Sequence, residues 1–308
     1  ALTRDALGTG AQPRARCPGC GAEAEPAQLS HRIPYRRCRS CGAFFMAAVP
    51  SPEQWTRICE QAAALLYVPS GPDDETVRQR REHVYVPKAA WIAQSLKLFG
   101  AGSGAALVFA PIQSAFSQAM AEHAPELPLR QADEAALAGA FARLDGREPD
   151  ARARLMGEAL ECGPVRAAVL LEGLDRARDP RRLLEAVAAA LPKGGLLFLT
   201  AFMASGFEVR VLGAQCRYLF PPDKANCFPI QTIERLVERA GFELVESSTP
   251  GVLDCDSVLQ HIRSGVAVPC SPFEEAVLAA DDEGRRAFQE FLQFSRLSSF
   301  GRFVGRRR

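Results

Sequence analysis

Long apolar runs are missing from this 308-residue chain. No stretch approaches the roughly 20 residues a helix needs to span a bilayer, so no membrane span is expected. A dominant charge is missing too. The 37 Lys+Arg stand against 36 Asp+Glu, a net charge of +1, which gives no reason to expect nucleic acid or an anionic membrane as partner. Lysine is scarce: only Lys88, Lys97, Lys193 and Lys224 occur among many arginines, and with so much alanine this reads as a GC-rich coding bias. Histidine is equally scarce. His31, His83, His123 and His261 are scattered, without an HExxH or paired-carboxylate grouping, so no histidine-based metal or hydrolase site can be assembled from sequence order. The first residues, ALTRDALGTGAQPRAR, lack the apolar stretch of a secretion signal. Ten cysteines without such a signal imply thiols and metal ligands rather than disulfides, and a cytoplasmic protein.

The cysteines that are present carry the strongest local signal. Cys17-Pro-Gly-Cys20-Gly and Cys38-Arg-Ser-Cys41-Gly are two CxxC knuckles separated by 17 residues, the spacing of a zinc ribbon. Each knuckle turns two thiolates toward one metal, and the following glycine lets the backbone leave the turn. Four thiolates close the tetrahedron, so Zn2+ at Cys17, Cys20, Cys38 and Cys41 is expected to be structural. His31 lies between the knuckles and is expected at the surface. Cys59, Cys162, Cys216, Cys227, Cys255 and Cys270 show no such spacing and read as small buried residues.

Around Leu183–Leu199 the pattern is of another kind. Asp179-Pro180 starts a helix, Leu183, Leu184, Val187 and Leu191 recur at helical spacing, Pro192-Lys193-Gly194-Gly195 ends it, and an unbroken apolar run follows. With the run Ala167–Leu171 upstream, this is strand, helix, turn, strand, as in a doubly wound α/β sheet covered on both faces. Ser51-Pro52-Glu53-Gln54 reads as a capping box opening a helix to about Tyr67, and helical spacing resumes through Trp91 to Phe99. Gly100-Ala-Gly102-Ser-Gly104 looks like a phosphate loop, but it follows a helix and precedes the apolar run Ala105–Ala110. Phosphate loops follow a strand; a helix-to-strand turn is expected here. Later, Ile233–Gly241 reads as a helix, Phe242–Val245 as a strand, Ser271–Glu274 as a capping box with a helical break near Asp281-Asp282, Phe300–Val304 as a last strand, and Arg306–Arg308 as a solvated end.

In their order these features are similar to bacterial class I S-adenosylmethionine-dependent methyltransferases that carry an N-terminal zinc ribbon. The resemblance includes Phe44-Phe45 after the ribbon, the SPEQW helix, the DP-helix-LPKGG-strand unit, Tyr218–Phe228, Arg239–Val245 and Arg296–Gly305. It implies a Rossmann-like fold, a mostly parallel seven-stranded sheet with helices on both faces, and methylation of sugars or other small molecules. The implied domains are a flexible tail over 1–15, the ribbon over 16–48, a helical connector or lid over 49–99, and a methyltransferase-like domain over 100–308.

The chain departs from that family at its chemistry. The acid that ends the first strand falls on Val108, and the glycines of the following loop fall on Ala110, Ile112 and Ser114, with Pro111 among them. Proline removes an amide donor and a branched Ile crowds a backbone that should approach the cofactor. The ribose-binding acid of the second strand falls on Arg130 in one register and on Asp133 in another. Glu158 stands where relatives hold the adenine amine. After the fourth strand an HxLEH segment reads Glu172-Gly-Leu-Asp-Arg176, both histidines being replaced. In the PPxHLNxF segment Lys224 takes the place of the candidate general-base histidine, while Asn226 is kept. The resemblance therefore implies Ala110, Asp133, Glu158 and Glu172 as cofactor positions and Lys224 and Asn226 as catalytic positions. A lysine serves as base only with a strongly lowered pKa; an exposed, charged lysine is expected, able to hold an anion as a point charge.

Three functions follow: a methyltransferase working through an altered loop, a degenerate fold that binds a small molecule or protein partner, and an enzyme that reuses the cleft through Lys224 or Glu172. Joint loss at the cofactor and substrate motifs favours a non-methylating protein, since fold alone does not set function.

Overall fold

The computed structural model describes residues 11–28, 33–55, 57, 58, 61, 75–100, 102–109, 114–132, 137, 142, 163–265 and 267–308. At the N-terminal end lie five short strands: β1 (Gln12–Pro13), β2 (Ala24–Gln28), β3 (Pro34–Cys38), β4 (Phe44–Met46) and β5 (Ala48–Val49). The large sheet is built from β6 (Ala105–Val108), β7 (Leu129–Gln131), β8 (Val165–Leu171), β9 (Leu196–Phe202), β11 (Phe242–Ser248) and β12 (Phe300–Arg307); β10 (Asn226–Cys227) belongs elsewhere. Its order is β11-β12-β9-β8-β6-β7. The pairs β7/β6, β6/β8 and β8/β9 are parallel, and β12 runs antiparallel to both its neighbours. The described residues thus contribute six strands; the stretch expected to carry the third strand, before Glu158, lies outside them.

The apolar runs of β8 and β9 have no polar face because helices cover both sides. Alternate residues part cleanly, as the twofold period of a strand requires. Ala167, Val169, Leu196 and Phe198 pack with Trp91, Ile92, Phe116 and Met120 of helices α1 (Val86–Phe99) and α2 (Ser114–His123). Ala168, Leu170, Leu197 and Leu199 pack on the opposite side with Leu183, Leu184, Val187, Ile233 and Leu236 of α3 (Pro180–Ala190) and α5 (Ile230–Arg239). Between these two helices comes the short α4 (Phe207–Leu212). Helix α3 begins as its sequence predicts: the Asp179 side chain accepts from the Arg182 amide at 3.1 Å, and Pro180 occupies the first helical position.

Gly100 ends α1 and Gly102–Gly104 lead into β6, on the N-terminal side of the strand. At Gly104 (φ +137°) a Cβ would sit 2.6 Å from the Pro164 carbonyl oxygen, so the close approach of two chains requires glycine there. The helical stretch expected as a connector runs from Glu75 through a π-turn at Arg81–Tyr85 into α1, whose Trp91 and Ile92 share a core with the sheet. The capping box at Ser51 is formed in both directions, Ser51 to Gln54 at 3.1 Å and Gln54 to Ser51 at 3.3 Å; most of the helix it was expected to open lies outside the described residues.

The small strands are tied to the large sheet's return. Strands β2, β3 and β4 form a sheet with β10, in which Asn226 pairs with Phe45 and Cys227 with Phe44. Two expectations are corrected here. Gln12–Pro13 and Arg14 fall within the expected tail, but Gln12–Pro13 pair with Ala48–Val49, the Arg14 amide donates to the Ala47 carbonyl, and its guanidinium reaches the Asn226 carboxamide oxygen at 2.7 Å. Arg306 and Arg307 are not a solvated end, because β12 continues to Arg307, whose guanidinium donates to the carbonyls of Ala188 and Gly241.

The remaining helices are α6 (Asp254–Arg263), α7 (Pro272–Ala279) and α8 (Asp282–Phe294). The Ser271–Glu274 capping box starts α7, and the break falls at Ala280-Asp281, where Asp281 caps α8. No helix among the described residues is long and apolar enough to cross a membrane.

Candidate functional site

The two CxxC knuckles have the same backbone. Cys17 and Cys38 donate to the carbonyls of Ala22 and Ala43, and Gly21 and Gly42 donate back to Cys17 and Cys38. Both glycines take left-handed φ near +80°, as the exit from such a turn requires. The four sulfurs all lie within 4.8 Å of one another, with Cys17–Cys41 at 3.8 Å and Cys20–Cys38 at 3.4 Å. A tetrahedron with metal–sulfur bonds of about 2.3 Å has edges of about 3.8 Å, so this donor set has the size of a tetrathiolate metal site. The Cys17 thiol hydrogen bond draws Cys41 down to about 5, so one thiolate is already favoured. This cluster packs on the N-terminal turn of α5: a Cβ on Gly19 would meet Thr232 and Phe228. His31, Cys59 and Cys162 lie outside the described residues. Cys216, Cys227 and Cys255 are buried and Cys270 half-buried.

The second site lies where the strand order reverses, at the C-terminal ends of β6 and β8, the place where open α/β sheets bind ligands. Glu172 follows β8 in a left-handed conformation (φ 55°), with its amide donating to the Thr200 carbonyl and hydroxyl. Residues 173–176 then make one helical turn. The Tyr218–Phe228 segment returns across this turn through a cis Pro221–Pro222 peptide. Lys224 is 3% exposed, so the expectation of a solvated lysine is wrong. Its Nζ donates to Glu172 Oε2 and Asp223 Oδ2, each at 2.6 Å, and lies 3.7 Å from Asp175 Oδ2. Arg176 completes the cluster, donating to Asp223 Oδ1 at 3.1 Å and to the Leu171 carbonyl at 3.0 Å, with Glu172 Oε2 at 3.7 Å.

Opposite charge outweighs burial at two members of this cluster. Burial pushes Lys224 down, but Glu172, Asp175 and Asp223 more than reverse this and hold it above the ordinary lysine range. Burial pushes Glu172 up, and Lys224, Arg176 and Lys88 reverse that, leaving it below the usual carboxylate range. Lys224 therefore keeps its proton, the reverse of what a general base requires. At Asp175 burial wins, and the carboxyl is pushed up to about 8. One of its oxygens accepts from the Phe202 amide at 3.0 Å; the other is buried without a partner. Since the folded chain binds this proton more tightly than the unfolded chain, Asp175 contributes stability that falls as pH rises from about 4 to 8. Asp175→Asn is expected to remove that fall, a difference that urea unfolding at pH 5 and pH 8.5 measures.

Asn226 is fully engaged elsewhere. Its Nδ2 donates to the Leu174 and Ala177 carbonyls, both at 2.8 Å, and its oxygen accepts from Arg14. It staples β10 to the turn after β8. Trp55 adds a further tie through its indole N–H to the Arg176 carbonyl at 3.0 Å.

On the β6 side, Val108 is buried among Ile92 and Phe116, and the sequence position of the expected acid carries no polar atom. Arg130 lies inside β7, opposite Leu107, so it does not end the strand; that end is Gln131, which is exposed. Ala110, Ile112, Asp133 and Glu158 lie outside the described residues. Sequence reasoning missed Lys88, Asp175 and Asp223. Lys88 left a signal: it precedes Trp91, Ile92 and Ser95 by three, four and seven residues, which sets it on the buried face of α1.

The profile of a family described as a methyltransferase domain matches residues 89–247. No curated protein matches the sequence. Among solved structures, a SAM-dependent methyltransferase from Archaeoglobus fulgidus is 10% identical, covering 76% of this chain and 100% of its own, with a TM-score of 0.42. The plantazolicin methyltransferase BpumL, solved with SAH, is 13% identical over 83% and 97%, with a TM-score of 0.41. A Haemonchus contortus phosphoethanolamine N-methyltransferase 2, solved with phosphomonomethylethanolamine and S-adenosylhomocysteine, is 15% identical over 75% and 60%, with a TM-score of 0.38.

Proposed function

This chain belongs to the methyltransferase-domain family, and we propose that it is a non-methylating member, a small-molecule binding protein whose cofactor and base positions have been replaced by a buried ion cluster. The observation that carries this reading is Lys224, buried and bonded at 2.6 Å to both Glu172 and Asp223. At three positions where relatives of the resembled type carry histidine, this chain has Glu172, Arg176 and Lys224, and both cations lie against Glu172. Their opposite charges are matched, which supports a rebuilt site over one that merely decayed.

S-adenosylmethionine fits the described residues poorly. Val108 offers no acid, β7 ends in Gln131, and Glu172 is occupied by Lys224. Pro111 and Ile112 add to this at the sequence level. No step is therefore derived through that cofactor. The four cysteines fit Zn2+ as a closed structural site without an open coordination position. None of the eight described cysteines is in a disulfide, which agrees with the reducing compartment, such as the cytoplasm, that we infer from the sequence.

Calorimetric titration of the zinc-loaded chain with S-adenosylmethionine and S-adenosylhomocysteine tests the reading. No heat and no thermal shift at millimolar ligand are expected. Micromolar binding of either would overturn it and favour an active enzyme working through an unusual loop.

A further inference from the structure

A surface helix keeps its large apolar residues on one face, but α8 carries them on two. Its inner face holds Phe288 and Leu292 in a core with Leu278 and Val258, and Gln289 there bonds Asp254 and the Gly251 carbonyl. On the outer side Phe294 is 92% exposed and Phe291 53%. Phe273 of α7, 65% exposed, extends the patch: its ring lies 6.0 Å from Phe288, which stacks on Phe291 at 5.9 Å. At about 200 Å² for each side chain, the three expose roughly 400 Å², the size of patch that marks an interface. Two such faces with their polar rims reach about the 1,000 Å² that a small specific interface needs.

This outer face is complementary to itself. At the helical repeat Gly284, Ala287, Phe291 and Phe294 fall along one stripe, small residues in the N-terminal half and aromatic ones in the C-terminal half. Arg286 and Glu290, both exposed, share one flank of it. We propose that the face is a homodimer interface, in which α8 pairs antiparallel with α8 of a second copy about a two-fold axis near residue 288. In that register Phe291 and Phe294 of each copy pack on Gly284 and Ala287 of the other. Arg286 of each copy lies level with Glu290 of the other on the same flank, and the two-fold makes every contact twice. The exposed acids Glu275, Asp281, Asp282 and Glu283 around the patch argue against an anionic lipid surface as its cover. The interface stands on α7 and α8 and does not depend on whether the cleft binds S-adenosylmethionine.

Sedimentation velocity of the full chain tests the pairing. Wild type should pass from monomer to dimer with a midpoint on the order of 10–100 µM, as a contact at the small end of the range gives. Phe294→Glu should weaken association about tenfold or more, and so should Arg286→Glu and Glu290→Arg singly, because each sets like charges together. An equimolar mixture of Arg286→Glu and Glu290→Arg should regain wild-type association, since each variant supplies the charge the other lacks. All three side chains are exposed, so the dilute variants should unfold at the wild-type temperature. A wild type that stays monomeric to several times that midpoint contradicts the proposal. Variants that associate like wild type, or a mixture no stronger than its components, contradict it equally.

Discussion

Removing the proposed zinc from the four-cysteine site is expected to unfold more than the N-terminal strands that carry it. Structural zinc contributes about 10–16 kcal/mol of apparent folding energy in isolated fingers, and here Cys17, Cys38 and Phe45 share a core with Phe228, Ile230 and the central strands. The cluster is also linked to the cleft by backbone. Strand β10 completes the ribbon's sheet, the Met46 amide donates to the Ala225 carbonyl at 2.9 Å, and the Tyr35 hydroxyl donates to the Lys224 carbonyl at 2.5 Å. Chelation, or Cys38→Ser with Cys41→Ser, should lower the unfolding temperature by about 10 °C or more, at about 2–4 °C per kcal/mol for a domain of this size. Amide exchange should accelerate at 225–228 as well as in β3 and β4. Metal analysis should find one zinc per chain. Well under one, or a chelated protein of unchanged stability, would remove the metal from the account.

Lys224→Met should cost about 3–5 kcal/mol, because it removes a buried cation and leaves the half-buried Glu172 and Asp223 with only Arg176 and Lys88 to offset them. A solvated lysine would cost at most about 1 kcal/mol, so the size of the loss separates the two environments. The pH dependence has a defined sign. Glu172, held below its ordinary range, contributes stability above its unfolded pKa that is lost as pH falls through the folded value. The gap between wild type and Lys224→Met is therefore widest near neutral pH and narrows below about pH 4. Adding Glu172→Gln to the variant should recover part of the loss, since the two substitutions remove one interaction. Urea unfolding of the four proteins of this cycle measures it.

Much of the fold was legible because it rests on local rules. The Asp179-Pro180 cap, the Gly194 turn and the apolar runs of β8 and β9 each state their structure within a few residues. That Cys17, Cys20, Cys38 and Cys41 come together was legible for the same reason, as their spacing sets their geometry. Boundaries fell short where tertiary contacts extended an element: β12 runs on to Arg307 because its edge is filled by β9 and β11. The cleft was the least legible part. Lys224 looked solvated because sequence shows neither the return of Pro221–Asn226 across the turn after β8 nor the three carboxylates waiting there. Lys88 lies 136 residues from Lys224 in the chain, and only the fold brings both to Glu172.

The scarcity of lysine makes the central claim directly measurable. With only Lys88, Lys97, Lys193 and Lys224 in the chain, lysine-labelled protein gives a four-signal NMR spectrum that Lys224→Met assigns. Across a titration from pH 6 to 10.5, the Lys224 side chain should stay charged throughout, protected by Glu172 and Asp223. A Lys224 signal that loses its proton near neutral pH would contradict the account and return this residue to the role of a catalytic base.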